Sequence, residues 1–283
     1  MRNIKDMFDM TGKTVGVTGG AGHLGSGISE VLAAFGADLY LLGHDVSKAR
    51  RESARLREKY DGLTCQSVPF DLHDKDSVRS AINAVMQMTR KIDVLINNVA
   101  YGCTKPLHEY EEEDWLEGID GTINGVFRMS REVLPIMMEQ GRGNIINIAS
   151  MYGMVAPNME IYGDSGQNNP ANYGAGKAAI IQFTRYIACV YAEKGIRANA
   201  VSPGPFPEPK VQEDVRFIRA LESKTPMHRI GTPEDLQGIV VYLASDASRY
   251  TNGQNIIVDG GGQLGEKAWH HRAGAYGVVA PAE

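Results

Sequence analysis

The stretch Thr14-Val15-Gly16-Val17-Thr18-Gly19-Gly20-Ala21-Gly22-His23-Leu24-Gly25 decides the fold. Its first five residues form a short β-branched run, the glycines behind it permit a tight turn, and from Leu24 the apolar spacing becomes helical. In such a strand-turn-helix unit the glycines let a pyrophosphate approach the backbone, and the helix N-terminus favours its negative charge. A glycine-rich turn alone carries little weight, but this one directly follows a buried strand that opens the chain.

Working outward, further strands are predicted at Leu39 to Leu42, near Thr64 to Pro69, and at Val94 to Asn97, Asn144 to Ile148, Arg197 to Val201 and Asn255 to Val258. Helices are predicted at Leu24 to Phe35, Val46 to Tyr60, Asp74 to Thr89, Asp114 to Glu139, Ala171 to Lys194 and Pro233 to Ser245. Thr232 before Pro233, with Asp235 three residues after the threonine, marks the start of the last helix. The alternation implies an α/β fold with a doubly wound parallel sheet of about seven strands and helices on both faces. Pro203-Gly204-Pro205-Phe206-Pro207-Glu208-Pro209 must be an irregular loop. It precedes a helical patch from Lys210 to Lys224 that reads as a lid. The acidic run Glu109 to Asp114 reads as a solvated helix start favoured by the helix dipole.

With 283 residues, the chain accommodates one or two domains of about 150 residues, and a single dinucleotide-binding and catalytic domain over 1–262 is expected. Residues 263–283, including Trp269, His270 and His271, show no clear periodicity and read as a C-terminal tail that docks on a partner subunit. The 29 basic against 34 acidic residues give a net charge of -5, which removes the basic field that nucleic acid or acidic membranes would need. Three cysteines, Cys65, Cys103 and Cys189, are odd in number and widely spaced, as reduced cytosolic thiols are. With no apolar leader and no uninterrupted span of about 18 apolar residues, a cytoplasmic protein with no membrane partner is expected. The histidines at positions 73, 108, 228, 270 and 271 show no metal-ligand spacing and read as structural or solvated.

Tyr173 and Lys177 stand four residues apart at the start of a predicted helix, which puts phenol and ammonium on one face. A nearby positive charge favours phenolate and would make the tyrosine a better acid and base near neutral pH. On its own such a pair is most often two surface neighbours. Ser150, at the end of a buried strand, and the glycine turn change that balance.

These motifs resemble the classical short-chain dehydrogenase/reductase family over roughly Gly12 to Gly262, with a Rossmann-type sheet. The matching pieces are the glycine turn, Asp71-Leu72, Asn97-Asn98-Val99-Ala100, Ser150, Tyr173 with Lys177, Ser202-Pro203-Gly204 and Val258-Asp259-Gly260-Gly261. The resemblance implies a single-domain, NAD(P)-dependent oxidoreductase that moves hydride between the nicotinamide and a secondary alcohol or ketone. By the same resemblance Tyr173 exchanges the proton, Ser150 hydrogen-bonds the substrate oxygen, and Lys177 binds the nicotinamide ribose and polarises the tyrosine. It further implies cofactor contacts from Thr18, Gly19, Gly20, His23, Leu24 and Gly25, from Asp71 and the backbone of Leu72, and from Asn98, Ala100, Pro203 and Gly204. Members of the family associate as dimers or tetramers through helices corresponding to Asp114 to Glu139 and Ala171 to Lys194, so a homo-oligomer, most commonly a tetramer, is implied.

Four departures matter. His23 stands where the family usually has glycine, and it points either to solvent or toward phosphates or substrate. Thr122 falls at the family's catalytic asparagine, where its hydroxyl is expected to hold a water; Asn124, about 200° further round a helix, cannot easily substitute. The separation of 23 residues between Ser150 and Tyr173 is roughly ten longer than the family's. The extra segment, about Asn158 to Pro170, reads either as a solvated excursion or subunit contact, or as a wall that hydrogen-bonds a sugar or polyol. Tyr162 within it lacks a lysine four residues on and is rejected as the catalytic tyrosine. Finally, Gly43 occupies the acidic position that would bind the NAD ribose; this tilts cofactor choice to NADP, with His44 and Lys48 near the phosphate, although Asp45 remains within reach of the ribose. Two rival functions stay open: a catalytically weak dinucleotide-binding sensor or assembly protein, and a lyase or epimerase on the same fold.

Overall fold

The fold is described from a computed structural model, covering residues 3–98, 100–101 and 105–264. Cys103 and residues 265–283, most of the expected tail, lie outside the described residues. Seven strands form one parallel sheet: β1 (Thr14–Thr18), β2 (Asp38–Gly43), β3 (Cys65–Pro69), β4 (Val94–Asn97), β5 (Gly143–Ile148), β6 (Ile196–Pro203) and β7 (Asn255–Val258), in the order β3-β2-β1-β4-β5-β6-β7. The chain crosses from one side of β1 to the other between β3 and β4. That switch opens a crevice beyond the carboxyl ends of β1 and β4, where ligands bind in open α/β sheets.

The helices are α1 (His23–Ala34), α2 (Val46–Lys59), α3 (Lys75–Thr89), α4 (Glu112–Ile119), α5 (Gly125–Gln140), α6 (Ala171–Val190), α7 (Pro209–Gln212), α8 (Val215–Ser223) and α9 (Pro233–Ala244). Alternate strand residues feed two cores. Val15, Val17, Leu39, Leu41 and Ile96 pack with Ile28 and Leu32 of α1 and Val240 of α9 on one face. Leu42, Leu95 and Ile145 pack with Ile82 of α3 and Val133 of α5 on the other. Strands buried on both faces need continuous apolar runs, as in Leu39–Leu42 of β2 and Val94–Ile96 of β4.

The single helix predicted from Asp114 to Glu139 is instead two helices joined by a π-helical turn, Asp120–Asn124. Gly121 in that turn lies against the Tyr101 ring, where a Cβ would come within 2.3 Å, and Arg128 holds Asp120 at 2.9 Å. A regular helix would move both residues out of register. The predicted patch Lys210 to Lys224 likewise divides into α7 and α8, because the Asp214 carboxylate caps α8 by accepting from the amides of Arg216 and Phe217. At the start of α9, Thr232 and Asp235 form the expected reciprocal cap. No described helix is long and apolar enough to cross a membrane.

Candidate active site

Gly19 has a φ of 61°, a left-handed conformation that glycine adopts freely, and it turns the chain from β1 toward α1. Gly25 in the first turn of α1 lies so close to Gly19 that a Cβ would stand 1.9 Å from the Gly19 carbonyl oxygen. Only glycine permits that contact. Gly22 is the N-cap of α1, with no side-chain cap and no acidic residue in the first turn, whereas α2, α3 and α8 are capped by Asp45, Asp74 and Asp214. The first amides of α1 therefore present unpaired donors and the positive end of a 12-residue helix toward the crevice. An anionic pyrophosphate fits that end, and the fit rests on the uncapped helix itself.

A cleft of about 390 Å³ runs from this turn across the carboxyl ends of the strands. At one end it is lined by Gly19, His23, Leu24, Asn98 and Ala100, and at the other by Ser150, Tyr173, Lys177, Pro203 and Gly204. The structure thus gathers most of the residues expected to touch cofactor into one groove. Asn98 braces the turn: its amide donates to the Thr18 hydroxyl at 2.9 Å, and its side chain to the Thr18 carbonyl at 3.2 Å. Thr18 is buried and acts through that contact.

Other expected residues stand apart from the groove's wall. Gly20 packs toward the core, where a Cβ would meet Leu41 at 2.8 Å. Asp71 follows β3 and accepts from the His73 amide at 3.0 Å. Leu72 is buried against Gly125, so its side chain serves the core. Gly43 ends β2, where a Cβ would meet nothing closer than the Ala49 Cβ at 3.9 Å, and His44 beside it is exposed. Asp45, expected within reach of the ribose, turns instead to α2, accepting from the Lys48 amide at 2.9 Å and the Ser47 hydroxyl at 2.7 Å. One acceptor and two donors close together in sequence satisfy one another before any ligand arrives.

Ser150 follows β5, its Oγ accepting from the Tyr152 amide at 3.1 Å, and it shares the wall of the cleft with Tyr173. Tyr173 and Lys177 lie on one face of α6, with the Lys177 Nζ 5.4 Å from the Tyr173 ring centroid. Lys177 is almost wholly buried, donating to the Ile148 carbonyl at 2.6 Å. Burial pulls its ammonium down to about 7. Burial also raises the Tyr173 phenol above its ordinary range, only partly countered by the nearby Ser150 hydroxyl. The expectation that the lysine would favour phenolate is corrected here: loss of solvent governs both groups, and it disfavours the charged form of each.

Thr122 sits in the π-helical turn, buried, with its hydroxyl donating to the Gly118 carbonyl at 2.7 Å. It packs on Gly176, between Tyr173 and Lys177, where a Cβ would stand 2.0 Å from its Oγ1. His23 has a buried Nε2 with no protein partner. Gly22 of the glycine turn lines the cleft as well, and sequence reasoning did not place Ile148, Ala149, Phe206 and Glu208 there. The only signal for the last two was the proline-rich loop that carries them.

A strand-turn-helix crevice ending in a serine, a tyrosine and a buried lysine defines a dinucleotide-dependent oxidoreductase. A family model described as enoyl-(acyl carrier protein) reductase matches residues 19–263. The 3-oxoacyl-[acyl-carrier-protein] reductase of Thermotoga maritima is 35% identical over 255 residues, covering 89% of this chain and 98% of its own. The gluconate 5-dehydrogenase of Gluconobacter oxydans is 31% identical, covering 90% of this chain and 96% of its own. Among solved structures, a gluconate 5-dehydrogenase from Burkholderia cenocepacia in complex with NADP and tartrate superposes with a TM-score of 0.84 at 30% identity, covering 93% of this chain and all of the other. The chain belongs to the short-chain dehydrogenase/reductase family. It is an NAD(P)-dependent oxidoreductase.

Proposed function

We propose that this protein interconverts a secondary alcohol and a ketone of a polyhydroxylated substrate, a sugar or polyol, with NADP as the preferred cofactor. The observation that carries the reading is the Ser150-Tyr173-Lys177 arrangement in the same cleft as the uncapped start of α1. A bound nicotinamide supplies or accepts the hydride. Ser150 orients the substrate oxygen by hydrogen bonding. In the reducing direction Tyr173 donates its Oη proton to that oxygen, and in the oxidising direction it takes the proton back. Lys177 binds the nicotinamide ribose, and its placement beside the phenol ring gives Tyr173 a cationic neighbour whenever the ammonium is charged. Thr122 serves as a positioning residue, holding the π-helical turn against the catalytic face of α6. Asn98, Ala100, Pro203 and Gly204 wall the cofactor groove, Asp71 and the Leu72 backbone take the adenine, and His23 offers its unpaired nitrogen to the phosphates.

The preference for NADP is supported by Gly43, which leaves room for a 2′-phosphate, by the engagement of Asp45 in capping α2, and by the Burkholderia relative's complex. A fluorescence titration with NADPH and NADH tests it. Tighter NADPH binding is expected, and equal or tighter NADH binding would reject it. Gly43→Asp should shift the ratio of the two dissociation constants toward NADH on the order of tenfold to a hundredfold, because a carboxylate repels the phosphate and accepts from the ribose hydroxyls.

Glu208 is exposed and lines the cleft that takes an anionic cofactor. Its charge opposes binding, so Glu208→Gln should tighten NADPH binding by about threefold at low salt, the scale of an exposed charge interaction, and by less as salt is added. A titration at two ionic strengths checks this; weaker binding in the variant would mean that Glu208 accepts hydrogen bonds from the cofactor instead.

The homo-oligomer, a dimer or tetramer, is supported by Leu116 of α4, Phe127 of α5 and Tyr186 of α6, all exposed large apolar side chains on the helices implicated by the family resemblance. A cytoplasmic location is in keeping with the unpaired Cys65 and Cys189.

A further inference from the structure

The longer segment between Ser150 and Tyr173 does not remain on the surface. Tyr162 within it is buried, its ring tilted against Phe217 of α8 with centroids 5.7 Å apart. Its hydroxyl lies 3.0 Å from that of Tyr152. Tyr152 in turn is tied to the serine of the site, its amide donating to the Ser150 Oγ at 3.1 Å. The two tyrosines therefore join the inserted segment, the α8 cover and the serine that faces the substrate. Tyr152 lines a cavity of about 390 Å³ shared with Gly153, Pro170 and Gly174, the residue after Tyr173.

We infer that Tyr152 and Tyr162 form a phenol pair that selects ketones carrying a hydroxyl next to the carbonyl, an inference that rests on Tyr173 being the proton donor of the proposed reaction. Each phenol is one donor and an acceptor. Their mutual hydrogen bond uses one of the two protons, which leaves one proton and further lone pairs between the buried Tyr162 and the half-buried Tyr152. Polar groups in such a place are costly when unmatched. A substrate hydroxyl that pairs with them is rewarded, and an analogue that lacks it leaves them unmatched, the asymmetry by which sites built for a hydroxyl discriminate strongly. The electrostatics agree with this proximity. Burial is the main influence raising Tyr173, and Tyr162 is near enough to raise it further. Tyr152 is raised chiefly by burial and then by Tyr162.

The test compares kcat/KM for 1-hydroxybutan-2-one and butan-2-one with NADPH in the full-length protein. The wild type is expected to prefer the hydroxy ketone. Tyr162→Phe should lower that preference about tenfold, the worth of one well-placed hydrogen bond, and Tyr152→Phe should do the same. The double variant should lose little more, since both substitutions break one pair. Removing a hydroxyl for packing reasons alone would slow both ketones equally and leave the ratio unmoved. An unchanged ratio in the two single variants overturns the inference, as does a wild type that reduces both ketones equally well. Should Tyr162→Phe fail to fold, Tyr152→Phe probes the same hydrogen bond from its other end. If the wild type binds NADPH but reduces no ketone, the proposed reaction itself fails, and the inference with it.

Discussion

Replacing Tyr173 with phenylalanine is expected to lower kcat/KM by about a thousandfold, the middle of the range for removing a positioned general acid, while NADPH still binds. The phenyl ring fills the same volume on α6, so the cleft keeps its shape and the Ser150 Oγ keeps the Tyr152 amide as its donor. Steady-state rates with a reactive ketone, set beside a fluorescence titration of NADPH, separate the two effects. Residual activity within tenfold of the wild type would remove Tyr173 from the chemistry. The wild-type pH profile follows from the same environment. Because burial holds the phenol above its ordinary range, the residue keeps its proton through neutral pH and is ready to donate it in reduction. Oxidation needs the deprotonated form, so its rate should climb as pH rises, while reduction should decline only under alkaline conditions.

Lys177→Met should abolish activity and at the same time raise the melting temperature. Burial pulls the Lys177 ammonium down to about 7 in the folded protein, against roughly 10.4 in an unfolded chain. Between those values the unfolded chain binds the extra proton, so the wild type gains stability as pH rises through that window. Below about 7 both states are protonated and the full cost of the buried ammonium is present. That cost is at most roughly 4–5 kcal/mol. Methionine removes it but strips the Ile148 carbonyl of its donor, which returns about 1–3 kcal/mol. A net gain of about 2 kcal/mol raises the melting temperature by roughly 4 °C in a domain of this size. The gain should be largest at pH 6 and fade toward pH 10. Thermal melts of both proteins across that range decide it, and a variant that melts below the wild type at pH 6, or whose advantage grows with pH, contradicts the account.

These two residues also mark how far the sequence could be read. Their spacing of four placed phenol and ammonium on one helical face, and the structure has them there on α6. The direction of their influence on each other was not legible, because it depends on how much water the sheet and the π-helical turn leave around them. Thr122 is a similar case. Its position was found by resemblance, yet it stands in the Asp120–Asn124 turn, which no periodicity announces, and its hydroxyl is spent on the Gly118 carbonyl of α4. Asp45 lay close in sequence to the expected ribose contact, but the start of α2 needed a cap and took its carboxylate. Tyr162 lacked the lysine partner of a catalytic tyrosine and its place was found only when the inserted segment folded back onto Tyr152 and Phe217.

Features of short range were legible in the chain alone: the alternation of apolar strands and helices, the glycine turn after β1, the helical face shared by Tyr173 and Lys177, and the cap at Thr232. Each depends on backbone geometry within a few residues. Tertiary structure alone decided which side chains are desolvated, which hydrogen-bond groups are already spent, and which distant loops meet at the cleft. Glu208 lines the groove and Lys177 sits out of water because elements far apart in the chain pack around them. Solvation and long-range contact are properties of that packing and have no signature in local spacing.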